Sequence, residues 1–303
     1  MAESNPNKNQ HWIPQCYQQP WCDPDTPSGQ TPYVWCFVKD GSAAKRRAPK
    51  NIFYEKDLYT IPAADGSRDL RIEHGLAGLE SDFVTIRDNF LAQHKPLDEI
   101  NNLKLRAFVA AMSSRTPFHL NHWQQQFKAP LEFMRAEYEY QRSKQREDPL
   151  WKNVKLPSAA DSPAIQEIQQ IAEGPRGQLL AGMMEVTFPI VAKMSLAVVR
   201  TDDDVGFISS DDPCVLFDGD AQHYPPLCRS PVLVSPNSEL TLPVSPFQCI
   251  LLNWKGFEGY HEIPVKLVDD LNRKTCFSCG EQFMVRRNAK RDAWFDPGTP
   301  TAP

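Results

Sequence analysis

The feature that most constrains this chain is a change in the spacing of its apolar residues. From Arg71 onward, Leu76, Leu79, Phe83, Ile86 and Phe90 recur at intervals of three and four, which lays them along one face of a helix. Pro96 closes that segment. Residues 97–112 resume the helical rhythm, with Ile100, Leu103, Phe108 and Met112 as candidate core, and 129–146 suits an amphipathic helix with a charged outer face. Ser162-Pro163 is a helix start, serine capping and proline in first position. Gly174-Pro175 breaks that helix after Glu173, and another begins near Gln178.

Outside this block the rhythm is different. Residues 33–39 read as a strand closed by a turn at Asp40-Gly41, and 58–62 as a second strand with a turn at Asp65-Gly66. After Met194, short apolar runs return at 196–200, 206–209, 214–217, 240–243, 249–254 and 282–286, with a helix expected over 265–272. Strands at both ends with helices between them are not an alternating βαβ pattern. The expectation is an α+β fold: a single domain whose mixed or antiparallel sheet is formed by the N- and C-terminal segments around a central helical bundle. We expect a flexible start over 1–10, one domain over 11–290 and a disordered tail over 291–303.

The net charge of −5 and isoelectric point near 5.8 give no general drive toward nucleic acid or an anionic membrane. Two local basic segments, 45–50 and 286–291, remain candidates for contacting a phosphate backbone. The longest apolar stretch, 179–199, contains Glu185, Pro189 and Lys193, so it reads as a buried helix followed by a strand rather than a membrane span. Residues 1–10 are polar with no apolar segment behind them, and the expected location is cytoplasmic. In that setting the eight cysteines are expected as reduced thiols, with Cys36, Cys214 and Cys249 in the core.

Phosphate-loop, dinucleotide-fold, zincin and nucleophile-elbow signatures are absent from the sequence. What the chain does carry is an ordered set of segments. His11-Trp-Ile-Pro14-Gln15-Cys-Tyr17 opens it, followed by Arg47-Ala-Pro49-Lys50-Asn51 and Glu55-Lys-Asp-Leu-Tyr59-Thr60. Then come Ile72-Glu73, Leu79-Glu80 and Ser114-Arg115-Thr116-Pro117. Phe207-Ile-Ser-Ser210-Asp211-Asp212-Pro213, Leu242-Pro243-Val244-Ser245-Pro246 and Leu271-Asn272 complete it. In this order the set resembles the DUF4238 family, named for its lack of assigned function, over roughly residues 11–285. Gln18 and Trp21 stand where the family pattern has a leucine and a phenylalanine, and Asp212 where it has asparagine. The resemblance implies a shared fold and brings no activity with it.

These segments each contribute one polar residue of a type that sites use. His11 titrates near neutrality and is a candidate acid or base; its other reading is a histidine packing the N-terminal segment onto the domain. Glu73 and Glu80 lie seven residues apart, two turns along one side of a helix, and could hold a divalent metal or act as acid and base; alternatively they are a solvated stripe complementing the helix dipole. Asp211 is a candidate carboxylate or metal ligand, or a cap for backbone N–H groups. Arg115 could grip a phosphate through its planar fork or pair internally with Asp211, and Lys50 could add charge. Cys276 and Cys279 have the spacing of half a zinc site, and His119 and His122 could share a helical face; each pair has an ordinary packing role as its alternative.

Two functional expectations follow. One is a hydrolase acting on a phosphate ester, nucleic acid included, with His11, Glu73, Glu80 and Asp211 as catalytic groups and Lys50 and Arg115 binding substrate. The other is a non-catalytic binding or regulatory module in which the same residues form a structural network. The sequence leaves open whether a divalent metal takes part. An open pocket would support the first; enclosed, mutually paired groups would support the second.

Overall fold

The computed structural model describes residues 8–63, 65–151, 154, 158–225 and 229–296. It has the expected α+β organisation, with an addition. Strands β1 (Asn9–His11), β2 (Val34–Val38), β3 (Ala44–Arg47), β4 (Tyr54–Lys56), β5 (Ile61–Pro62) and β6 (Arg68–Asp69) precede the main helices. Helices α2 (Arg71–Ile86), α3 (Glu99–Ser114), α4 (Pro117–Glu147), α5 (Pro163–Glu173) and α6 (Arg176–Val191) form the middle; a short α1 (Gln15–Gln18) lies ahead of them. Strands β7 (Ser195–Arg200), β8 (Ser209–Ser210), β9 (Val215–Asp218), β10 (Ser238–Ser245), β11 (Gln248–Asn253) and β12 (Gly259–Glu262) follow, then α7 (Val265–Ser278) and β13 (Gln282–Val285).

The sheet joining the two ends of the chain has the order β3-β2-β13-β8 and is antiparallel throughout. A second sheet, β12-β7-β11-β10-β9, comes wholly from the C-terminal segment and is mixed, because β12 runs parallel to β7. The main core fills the space between α2, α3 and this second sheet. Phe83 and Phe108 stack at 3.9 Å with rings 5° from parallel, among Ile86, Leu105, Met112, Leu242 and Ile250, all at most 1% exposed. Phe37, Phe283 and Trp294 form a smaller core against the four-stranded sheet.

Several local expectations are corrected. The stretch 58–62 is not one strand: Asp57 takes a left-handed φ of 56°, so Leu58 and Tyr59 sit buried in a turn between β4 and β5. α2 does not run to Pro96; it ends at Ile86 and gives way to a π-helical turn over Arg87–Leu91. Ile100 and Leu103 are 67% and 44% exposed, because α3 turns Leu105, Phe108, Val109 and Met112 to the core instead. The charged helix begins at Pro117, capped by Thr116, and continues through Pro130. α6 is less buried than expected, with Val186 67% exposed.

The ordered body also passes both ends of the expected 11–290 span. Gln10 is fully buried in β1, and Trp294 is fully buried. The expected flexibility of 1–7 and disorder beyond Asp296 lie outside the described residues. No helix among them is long and apolar enough to cross a membrane.

Candidate functional site

His11 on β1, Glu80 on α2 and Arg115 at the end of α3 are joined by hydrogen bonds, and Glu73 on α2 lies within their electrostatic reach. Arg115 is the residue on which α3 ends, and it is 2% exposed. Its Nη1 donates to Glu80 Oε1 at 2.9 Å and its Nη2 to the backbone carbonyl of His11 at 2.8 Å. The guanidinium also lies over the Tyr59 ring, 5.6 Å from its centre, and the Tyr59 hydroxyl donates to the Arg115 carbonyl at 2.7 Å. Burial alone would lower the pKa of Arg115; Tyr59 and Glu80 outweigh it and hold the pKa above the ordinary value. The arginine's expected partner Asp211 is therefore replaced by Glu80.

Glu73 and Glu80 both lie on α2, and Glu80 bonds this arginine. Both are half-buried. Burial lifts the pKa of Glu73, the Arg115 charge opposes the rise, and the Glu80 carboxylate adds to it. Arg115 is bonded to Glu80, and Glu73 senses both of these charges.

His11 ends β1, paired with Tyr54 of β4, and its ring packs on Tyr54 at 5.3 Å. Burial lowers its pKa; the backbone carbonyls of Lys50 and Pro49 pull it up, and Arg115 adds to the lowering. Lys50 itself is exposed, and what reaches the imidazole is its backbone.

Asp211 stands beside this group and is committed elsewhere. Its carboxylate accepts from the backbone N–H groups of Gly280, Glu281 and Gln282, at 2.8, 2.7 and 3.2 Å. It thereby pins β8 to the start of β13. Burial raises its pKa, and the three N–H groups oppose that without reversing it. The link back to His11 is the next residue, Trp12, whose indole Nε1 donates to the Asp211 carbonyl at 3.1 Å.

The sequence reading passed over Asp212, seen there only as a departure from a pattern. It is 3% exposed, and its Oδ2 lies 3.2 Å from His119 Nε2. Burial lowers the His119 pKa, but the hydrogen bond and charge of Asp212 win and raise it. Both histidines contact Phe118, His122 stacked on it and His119 edge-on at 5.5 Å, and it is His119 that pairs with Asp212. Among the described residues no three His, Cys, Asp or Glu side chains are grouped to hold a metal ion. Cys276 and Cys279 are buried free thiols, pushed by burial to about 12.

Other motif residues have structural work that explains their identity. The Tyr17 hydroxyl donates to the Pro243 carbonyl and lies 2.9 Å from Ser209 Oγ. Asn272 accepts from Ile208 N and donates to the Gly206 carbonyl. The basic segment 286–291 is also spent internally. Arg287 pairs with Asp25, and Arg291 with Asp203 and Asp269. Arg286 lies over Phe247, and Lys290 donates to the Gly41 carbonyl. In the other basic segment, Arg46 lies over Tyr33 and Trp35.

Three buried polar atoms without a partner lie in this region: His11 Nε2, Arg115 Nε and Asp212 Oδ1. Cavities of 310 to 620 Å³ elsewhere in the molecule are lined by other residues.

A family model described as "Protein of unknown function (DUF4238)" matches residues 9–290. No curated protein and no solved structure matches the chain.

Proposed function

The chain belongs to the DUF4238 family of proteins of unknown function, and from that premise we propose that it is a non-catalytic binding or regulatory module. In this reading His11, Glu80, Arg115 and Asp211 form a network that fixes the fold. The observation that carries it is the enclosure of Arg115: a 2% exposed guanidinium with both Nη atoms bonded inside the protein. An arginine that neutralises substrate phosphate must offer an open fork. Asp211 supports the same reading, since its carboxylate oxygens are taken by backbone N–H groups.

A second reading has its own observation. His11 Nε2, Arg115 Nε and Asp212 Oδ1 are buried without partners, beside a pair of half-buried carboxylates. Unpartnered polar atoms are costly, and a substrate could satisfy them. The function would then be hydrolysis of a phosphate ester, nucleic acid included. His11 would be the acid or base, and Glu73, Glu80 and Asp211 would supply carboxylates with or without a divalent metal. Arg115 and Lys50 would neutralise phosphate.

The experiment that separates the two is hydrolysis of bis(4-nitrophenyl) phosphate and single-stranded RNA, with Mg²⁺ or Mn²⁺, by the wild type and His11→Ala. The module reading expects no turnover above buffer. Turnover that disappears in a folded His11→Ala protein would establish the hydrolase instead.

A further inference from the structure

A second buried arginine differs from Arg115 in one decisive respect. Arg106, on α3, is 7% exposed, yet among the described residues it makes no ion pair. Its Nη1 donates to the carbonyls of Val191 and Met194, both at 2.6 Å, and its Nε to Asn102 Oδ1. These partners are neutral. Burial pulls the Arg106 pKa below its ordinary value, and Glu258 only partly opposes the shift; the shift of Arg115 runs the other way. A guanidinium has five N–H donors, and among the described residues the two on Nη2 have no hydrogen-bond partner, while Nη2 is not one of the enclosed atoms and so stays accessible.

Arg106 also lines a cavity. The space holds about 410 Å³ and lies between α3, β7 and the start of β12, within the range of small-molecule sites. Leu97, Leu196 and Val198 supply apolar walls, Tyr260 an aromatic one, and the exposed Glu258 stands at its edge. The Tyr260 hydroxyl already donates to the Lys95 carbonyl, so that ring offers its apolar body.

We propose that this cavity binds a small carboxylate with an apolar body, its carboxylate received by Nη2 of Arg106. Arg106 is hydrogen-bonded only to neutral oxygens and has the exposed Glu258 carboxylate as its nearby counter-charge, so part of its desolvation cost stays uncompensated, and an entering anion supplies further charge through charge-assisted hydrogen bonds. A single cation with apolar walls matches one negative charge on an apolar group better than a doubly charged phosphate. The inference gives the module a ligand class and rests on that reading, while drawing on residues the polar network does not use.

The test is binding of phenylacetate, 4-methylpentanoate and inorganic phosphate to the full chain, followed by thermal midpoint and by amide chemical shifts. Two variants accompany the wild type. Arg106→Lys keeps the charge but loses the fork; Leu97→Trp fills the cavity without touching Arg106. The expected result is a rise in midpoint with either carboxylate but not with phosphate. Affinity should fall at least tenfold in Arg106→Lys and vanish in Leu97→Trp. No response to carboxylate, a response to phosphate alone, or binding unchanged in a folded Leu97→Trp protein overturns the assignment. If Arg106→Lys does not fold, Leu97→Trp decides alone. Phosphate-ester turnover that depends on His11 would remove the module reading through a different assay, so the two failures are distinct.

Discussion

Arg115 Nη1 lies 2.9 Å from Glu80 Oε1, and this contact ties the end of α3 to the body of α2. Arg115 is 2% exposed and the Glu80 side chain 25%, so the charges are shielded from water while one keeps a solvent edge. Removing the cation leaves a half-buried carboxylate without its counter-charge and the His11 carbonyl without its donor. Arg115→Ala should cost about 3–5 kcal/mol of stability, read from the urea midpoint. Arg115→Lys should recover only part of that, because an ammonium cannot reach Glu80 and the His11 carbonyl with the same planar fork.

Tyr17→Phe tests the opening motif in isolation. The substitution keeps the ring contacts with Trp21, Phe83 and Phe108 and deletes only the hydroxyl, leaving the buried Pro243 carbonyl without its donor. The expected loss is about 1–3 kcal/mol in chemical denaturation.

Glu73 gives a pH-dependent prediction. Burial holds its folded pKa above the ordinary glutamate value, so folding disfavours its charged form. Glu73→Gln should therefore be more stable than the wild type at pH 7. The advantage should shrink as pH falls through the folded pKa and be gone below about 4.5, where both states bind the proton. Urea midpoints at pH 4 and pH 7 check this.

His119 has the same slope with the opposite sign of contribution: it stabilises the fold when charged, whereas charged Glu73 destabilises it. Its folded pKa is raised above 6.5 by Asp212, so the contact contributes stability that is fully present below about pH 6.5. That contribution is lost as pH rises through the folded value. His119→Gln should thus lose more stability relative to wild type at pH 5.5 than at pH 8.5. An imidazole NMR titration should put His119 above, and His11 below, the ordinary histidine value.

Local signals were legible in the sequence. The spacing of Leu76, Phe83 and Ile86 identified the buried face of α2, and Ser162-Pro163 and Gly174-Pro175 marked the ends of α5. These depend on neighbours within a turn or two. The helix expected over 129–146 in fact starts at Pro117 and runs through Pro130, although a proline inside a helix usually breaks it. Ile100 and Leu103 misled the reading: apolar type alone does not say which face of α3 meets the sheet. For the candidate site, the sequence supplied the residues but not the partners. Glu80 sits 35 positions from Arg115, and the N–H groups holding Asp211 are about 70 positions away. No periodicity spans such separations, so Asp211 could be read equally as a ligand or as an anchor.

The most direct test of the enclosed network is a double-mutant cycle between Glu80→Ala and Arg115→Ala, with stability measured by urea denaturation. The account predicts that the double variant loses clearly less than the two single losses summed, with a coupling of about 1–3 kcal/mol. Losses that simply add, within about 0.5 kcal/mol, would contradict the claim that these residues hold the fold together through each other.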